Sequence, residues 1–129
     1  MPLVDFKPNR DEALEELNPL MVGIRHTIKT VTHATMGVPK HDAIVNLHRC
    51  TVEDCDPDAA DVVVYIETNP DTEMESAADE FRDILADLLL GWGFEQIDLI
   101  EVWPRFVQGS WCCISIREGR IIDHVDHEG

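Results

Sequence analysis

The chain has 129 residues, enough for one domain with a buried core, and its 44% hydrophobic content excludes a disordered protein. It carries 26 acidic against 10 basic residues, a formal net charge of −16 that repels phosphate backbones and anionic lipid and argues against nucleic-acid or membrane partners. No apolar run approaches the roughly 20 residues that span a bilayer, and Met-Pro-Leu-Val-Asp-Phe at the start lacks the basic-then-apolar pattern of a secretory signal. A cytoplasmic protein is therefore expected.

The acids are dispersed along the chain, and only Lys7, Lys29 and Lys40 represent lysine. That surface suits a salt-rich cytoplasm, where repulsion is screened; an acidic mesophilic protein is the plain alternative. Cys50, Cys55, Cys112 and Cys113 form no Cys-x-x-Cys pair, and neighbours on a strand point to opposite faces, so free thiols are expected.

Taken in order, Pro2 to Lys7 alternates as a strand and Pro8 stops it. Asn9 with Glu12 resembles a capping box for a short helix over 10–17, and Asn18-Pro19 reads as a second helix start. Leu20, Ile24, Ile28, Val31 and Thr35 then recur at helical spacing until Gly37, and Ala43 to Leu47 reads as a strand. The run from Asp61 to Glu67 is nearly continuous and apolar, the pattern of a strand buried on both faces. Thr72 with Glu75 caps a helix whose stripe includes Phe81, Ile84, Leu85, Leu88 and Leu89, ended by Gly91 and Gly93. Ile97 to Val102 is the fourth strand, and the passage from Gly37 to Leu47 parallels that from Gly93 to Val102.

The chain thus reads as a single domain, 1–129, built of two βαβ pseudo-repeats, 1–50 and 61–104, with a β-hairpin at 110–125. The expected fold is α/β, an α+β sandwich with a four-stranded mixed sheet and both helices on one face. The other face and the open edges then call for oligomerisation.

Met1-Pro2-Leu3-Val4 at the start, the passage from Met36 to Val45 and the βαβ tandem together resemble the tautomerase superfamily, the group of 4-oxalocrotonate tautomerase and macrophage migration inhibitory factor. The likeness covers nearly the whole chain. It implies a cofactor-independent homotrimer in which Pro2, freed by removal of Met1, is a general base for keto–enol proton transfer on a small 2-oxo or enol acid. The chemistry suits a terminal secondary amine. A free α-amino group titrates at about 7.7–8.0, and an apolar setting lowers that further, leaving a neutral base near physiological pH. Proline after Met1 can equally just begin a strand.

The resemblance also implies cations for a carboxylate substrate and an aromatic wall from a neighbouring subunit. Lys40 before the second strand, Arg10 after the first, and Arg105 are the candidate cations, and Trp103 is the candidate aromatic. Each also reads as an ordinary surface charge or, for Trp103, as interface packing. The family's cation in the passage before the second strand falls here on Val38 or Ile44, a departure that puts dicarboxylate tautomerisation in question. A decarboxylase or hydratase using the same proline, and a non-catalytic trimer of the same fold, are the rival functions. His48, Cys50 and Cys55, or His124 and His127, lack the tight spacing of a metal site, so no metal is expected. His26 and His33 fall on a helix's polar face.

Overall fold

The computed structural model describes residues 2–48, 56, 58–68, 72–106 and 111–125. Strand β1 (Leu3–Pro8) leads into helix α1 (Asp11–Met36), then a short 3-10 turn (Lys40–Asp42) and β2 (Ile44–Leu47). Strand β3 (Val62–Thr68), helix α2 (Thr72–Leu90) and β4 (Ile100–Phe106) repeat the pattern. The sheet order is β2-β1-β3-β4: β1/β2 and β3/β4 are parallel, and β1 and β3 meet antiparallel at the centre. A separate hairpin pairs β5 (Trp111–Ser115) with β6 (Arg120–Val125), with Gly119 at φ 66° in its turn.

Alternation decides the faces. Val4, Phe6, Val45, Val62, Val64 and Ile66 share one buried core with Ala13, Leu17, Ile24 and Ile28 of α1 and Phe81, Leu85 and Leu89 of α2. Both helices therefore cover the same face of the mixed sheet. The intervening residues Val63, Tyr65 and Glu67 stay half-buried, so β3 is covered on one side and not on both as its apolar run suggested. Their partners Leu3, Asp5, Glu101, Trp103 and Arg105 stand with them on the open face.

Two further elements, α1 and β4, differ from the sequence reading. The expected short helix over 10–17 and second start at Asn18-Pro19 are one continuous helix with Pro19 inside it. Proline costs a helix interior about 3 kcal/mol. The spacing of Ala13, Leu17, Met21, Ile24 and Ile28 carries one apolar stripe through it, and burying Leu17 and Met21 is worth roughly 2 kcal/mol each. The stripe also passes through Thr32, fully buried and bonded to the Ile28 carbonyl at 2.7 Å, rather than through Thr35. Asn9 does not cap α1: Arg10 is the N-cap residue, and the Asn9 amide donates to the Ala60 carbonyl at 2.9 Å.

The fourth strand is displaced as well, from the expected Ile97–Val102 to Ile100–Phe106. Carboxylates hold 95–99 as a loop instead. Glu16 accepts from the backbone N–H groups of Glu95 (2.7 Å) and Gln96 (2.9 Å), and Asp61 from those of Asp98 (2.9 Å) and Leu99 (3.0 Å). Those two bonds, with help from nearby Arg10, hold the Asp61 carboxyl below the usual carboxylate range. The segment before Asn18 thus lengthens α1 and supplies Glu16 to clamp the distal loop. Gly37 (φ 70°), which caps α1, and Gly93 (φ 82°), three residues past the end of α2, take the left-handed conformation that favours glycine. The capping box of Thr72 and Glu75, Cys50, Cys55 and His127 lie outside the described residues or their described side chains.

Candidate functional site

Pro2 enters the structure just before β1. Its carbonyl accepts from the Ile44 N–H at 3.1 Å, which fixes it beside the start of β2. Its side chain is fully buried, on the same side as Val4 and Phe6. The antiparallel register brings the far end of β3 to this place, with Leu3 opposite Glu67, and Glu67 in turn pairs with Arg105 of β4. One end of the sheet thus gathers Pro2, Ile44, Glu67, Thr68 and Arg105.

Lys40 is at that end. It begins the turn that delivers β2, and its side chain is exposed. Arg105 is also at that end but on the open face. Its guanidinium lies 4.5 Å over the Tyr65 ring and 3.6 Å from the Glu67 carboxylate, an arrangement that places the cation by stacking and charge together. Trp103 is 54% exposed on the open face, its indole N–H donating to Glu101 at 3.0 Å. Arg10 stands past the opposite end of β1, a strand length of roughly 20 Å from Leu3. There it donates to the carbonyls of Asn9 (3.1 Å) and Ala59 (3.0 Å). Within one chain, then, the fold groups Lys40 and Arg105 with Pro2 at one end and carries Arg10 away.

Two buried polar atoms have no hydrogen-bond partner among the described residues. One is the Thr68 hydroxyl, 3% exposed at the Pro2 end. The other is Asp5 Oδ1 on the open face, where His48 Nε2 stands 3.1 Å away but off the line of a hydrogen bond. Sequence reasoning singled out neither Thr68 nor the pair Tyr65 and Glu67. For Tyr65 and Glu67 the alternate polar positions of β3 were the available signal, hidden inside an otherwise apolar run; Thr68 falls on the core-facing side and gave none. No group of three or more His, Cys, Asp or Glu side chains among the described residues is placed to hold a metal ion.

No protein-family model matches the chain, and no curated protein matches it in sequence. Among solved structures, a crystal structure of FG41 malonate semialdehyde decarboxylase inhibited by 3-bromopropiolate is similar at 13% identity and a TM-score of 0.39, over 83% of this chain and 82% of that one. A likeness at that level decides nothing about the chemistry of this chain.

A groove of about 390 Å³ lies away from Pro2, between the end of α2 and the start of β4, lined by Leu89, Leu90, Phe94, Ile97 and Leu99 among others. Leu90 and Leu99 are 83% and 62% exposed at its rim. No described helix is long and apolar enough to cross a membrane.

Proposed function

We propose that this chain is a tautomerase-superfamily enzyme in which Pro2, after removal of Met1, is the general base for keto–enol proton transfer on a small 2-oxo or enol acid. One observation carries the reading: Pro2 is fully buried at the edge of the apolar core. An amine held there resists protonation, so it is available as a base near neutral pH. Lys40 and Arg105 are the proposed cations for the substrate carboxylate. Trp103, half-exposed on the open face, is the proposed aromatic contribution to a neighbouring subunit's site.

The assembly belongs to the same proposal. A sheet whose second face, carrying Tyr65 and Trp103, is covered by no described helix is covered economically by packing against copies of itself, and a homotrimer is the assembly proposed. Light scattering at micromolar concentration tests it; a monodisperse monomer removes the shared site. A second reading, a non-catalytic trimer, draws support from the ion pair that already engages Arg105 with Glu67 and from the remoteness of Arg10.

The experiment is ketonisation of phenylenolpyruvate by processed protein whose amino-terminal residue has been established by mass spectrometry. Pro2→Ala leaves a primary amine of different geometry, and the rate is expected to fall by roughly 10²-fold or more. An unchanged rate in a folded variant, or native protein that retains Met1, refutes the base and puts the non-catalytic reading first.

A further inference from the structure

We propose that Thr68 is a positioning residue for Pro2, its hydroxyl forming a hydrogen bond to the amine that removal of Met1 sets free. The inference rests on the reading of Pro2 as a processed terminus, and it begins with an orphan. Thr68 Oγ1 is buried, in a residue only 3% exposed, and has no partner among the described residues. Folded proteins seldom leave such a group unmet, because the loss is that of a hydrogen bond.

The register says where a partner would come from. Leu3 pairs with Glu67 and Val4 with Ile66, so one further step along the antiparallel ladder sets Thr68 opposite Pro2. Alternation puts both on the helix-facing side, with Val4, Phe6, Val64 and Ile66. Directly opposed residues on one face have Cβ atoms about 4.5–5.5 Å apart, which brings a threonine hydroxyl within reach of a proline ring nitrogen.

Chemistry explains why the hydroxyl stands unmet in the chain that still carries Met1. There the Pro2 nitrogen is a tertiary amide, with neither an N–H to donate nor a basic lone pair to accept. Excision of Met1 turns it into a secondary amine that can do both. The hydroxyl can accept from the protonated ring or donate to the neutral one. The charge-assisted bond is the stronger, so Thr68 both orients the ring and favours its cation, against the apolar wall of Val4 and Ile66. The other charged or titratable side chains at this end among the described residues are His33 at the close of α1, Lys40, His41 and Asp42 on the turn, and Glu67 and Arg105 on the open face.

The test is the titration of the Pro2 amine by nitrogen NMR, in processed, ¹⁵N-proline-labelled protein with Thr68 intact, Thr68→Val and Thr68→Ser. Valine keeps the shape and removes the hydroxyl, and serine keeps the hydroxyl. The midpoint is expected to fall by roughly half a unit or more in Thr68→Val and to return in Thr68→Ser. The pH–rate profile for phenylenolpyruvate should move with it. In protein whose amino terminus is blocked by an added residue, Thr68→Val should lose no thermal stability, whereas in processed protein it should. An unmoved midpoint in Thr68→Val overturns the proposal, as does a rise in KM alone, which would assign the hydroxyl to the substrate. The midpoint needs no turnover. An inactive protein whose midpoint still moves sinks the catalytic reading and leaves Thr68 in place; an active one whose midpoint stays sinks Thr68 alone.

Discussion

Gly23 lies in the interior of α1, where glycine costs about 1 kcal/mol relative to alanine because it has more backbone freedom to lose. Its φ is not positive, so alanine meets no backbone penalty. A methyl group there would lie 3.6 Å from Trp92 Cζ2 and 3.8 Å from Cη2, ordinary contact with no overlap. Gly23→Ala is therefore expected to stabilise the protein by about 1 kcal/mol, chiefly through the unfolded state. For 129 residues at about 2.1 cal/mol/K each, the unfolding entropy is roughly 0.27 kcal/mol/K, which makes the gain about 4 °C in Tm. Thermal unfolding followed by circular dichroism, at fixed salt and protein concentration, measures it. Gly93→Ala is the matched control. Its φ of 82° is left-handed, so the same methyl, although it meets no atom within 4 Å, should cost about 1–2 kcal/mol. A lower Tm in Gly23→Ala would refute the reasoning and place the Trp92 ring closer to the helix.

Two further outcomes follow from charge. Asp61 has its carboxyl pulled below the ordinary value near 3.9 by the N–H groups of Leu99 and Asp98, so its contribution is fully present above about pH 4 and is lost as pH falls through the depressed value. Asp61→Ala should cost about 1 kcal/mol at pH 7, given the site's exposure, and the difference from the parent should vanish at the acid end of a Tm-against-pH series; an equal difference at pH 2 and pH 7 would count against the clamp. With a net charge of −16, Tm should rise with potassium chloride and go on rising towards molar salt if the surface is built for a saline cytoplasm, whereas a flat response from 0.1 to 2 M would exclude that proposal.

How much of this was legible depended on whether the signal was local. The βαβ tandem showed in the alternation of Val4 and Phe6, in the stripe through Phe81, Leu85 and Leu89, and in the glycines that end both helices. What escaped were features set by distant partners. Pro19 reads as a helix start on any local rule, and only the sheet beneath Leu17 and Met21 makes the helix continue through it. Ile97 is a typical strand residue, yet Glu16 and Asp61, 79 and 37 residues from the amides they first engage, take the backbone donors on either side of it. At the candidate site, Lys40 could be placed by strand order, since parallel neighbours begin together, whereas Arg105 came only with the resemblance, because its place at the Pro2 end depends on the antiparallel meeting of β1 and β3. Thr68 could not, because its interest lies in being buried without a partner, and burial is a property of the assembled core.

The two ends of the sheet are built to different rules, and that makes stability and function separable by experiment. At the end remote from Pro2, Asn9, Arg10, Glu16 and Asp61 all spend their side chains on backbone groups of loops, a mesh that fixes where β3 and β4 begin. At the Pro2 end the described polar side chains make few such bonds: Lys40 is exposed, Thr68 is unmet, and Arg105 pairs across the open face. A group tied into a backbone mesh contributes to folding and is poorly placed to meet a ligand, whereas an unmet or loosely paired one has its hydrogen-bonding capacity in reserve. Substitutions at Glu16 or Asp61 should accordingly lower Tm without moving the titration of the Pro2 amine. Substitutions at Thr68 or Lys40 should do the reverse, moving the amine titration or substrate binding at little cost in Tm beyond the one bond proposed for Thr68.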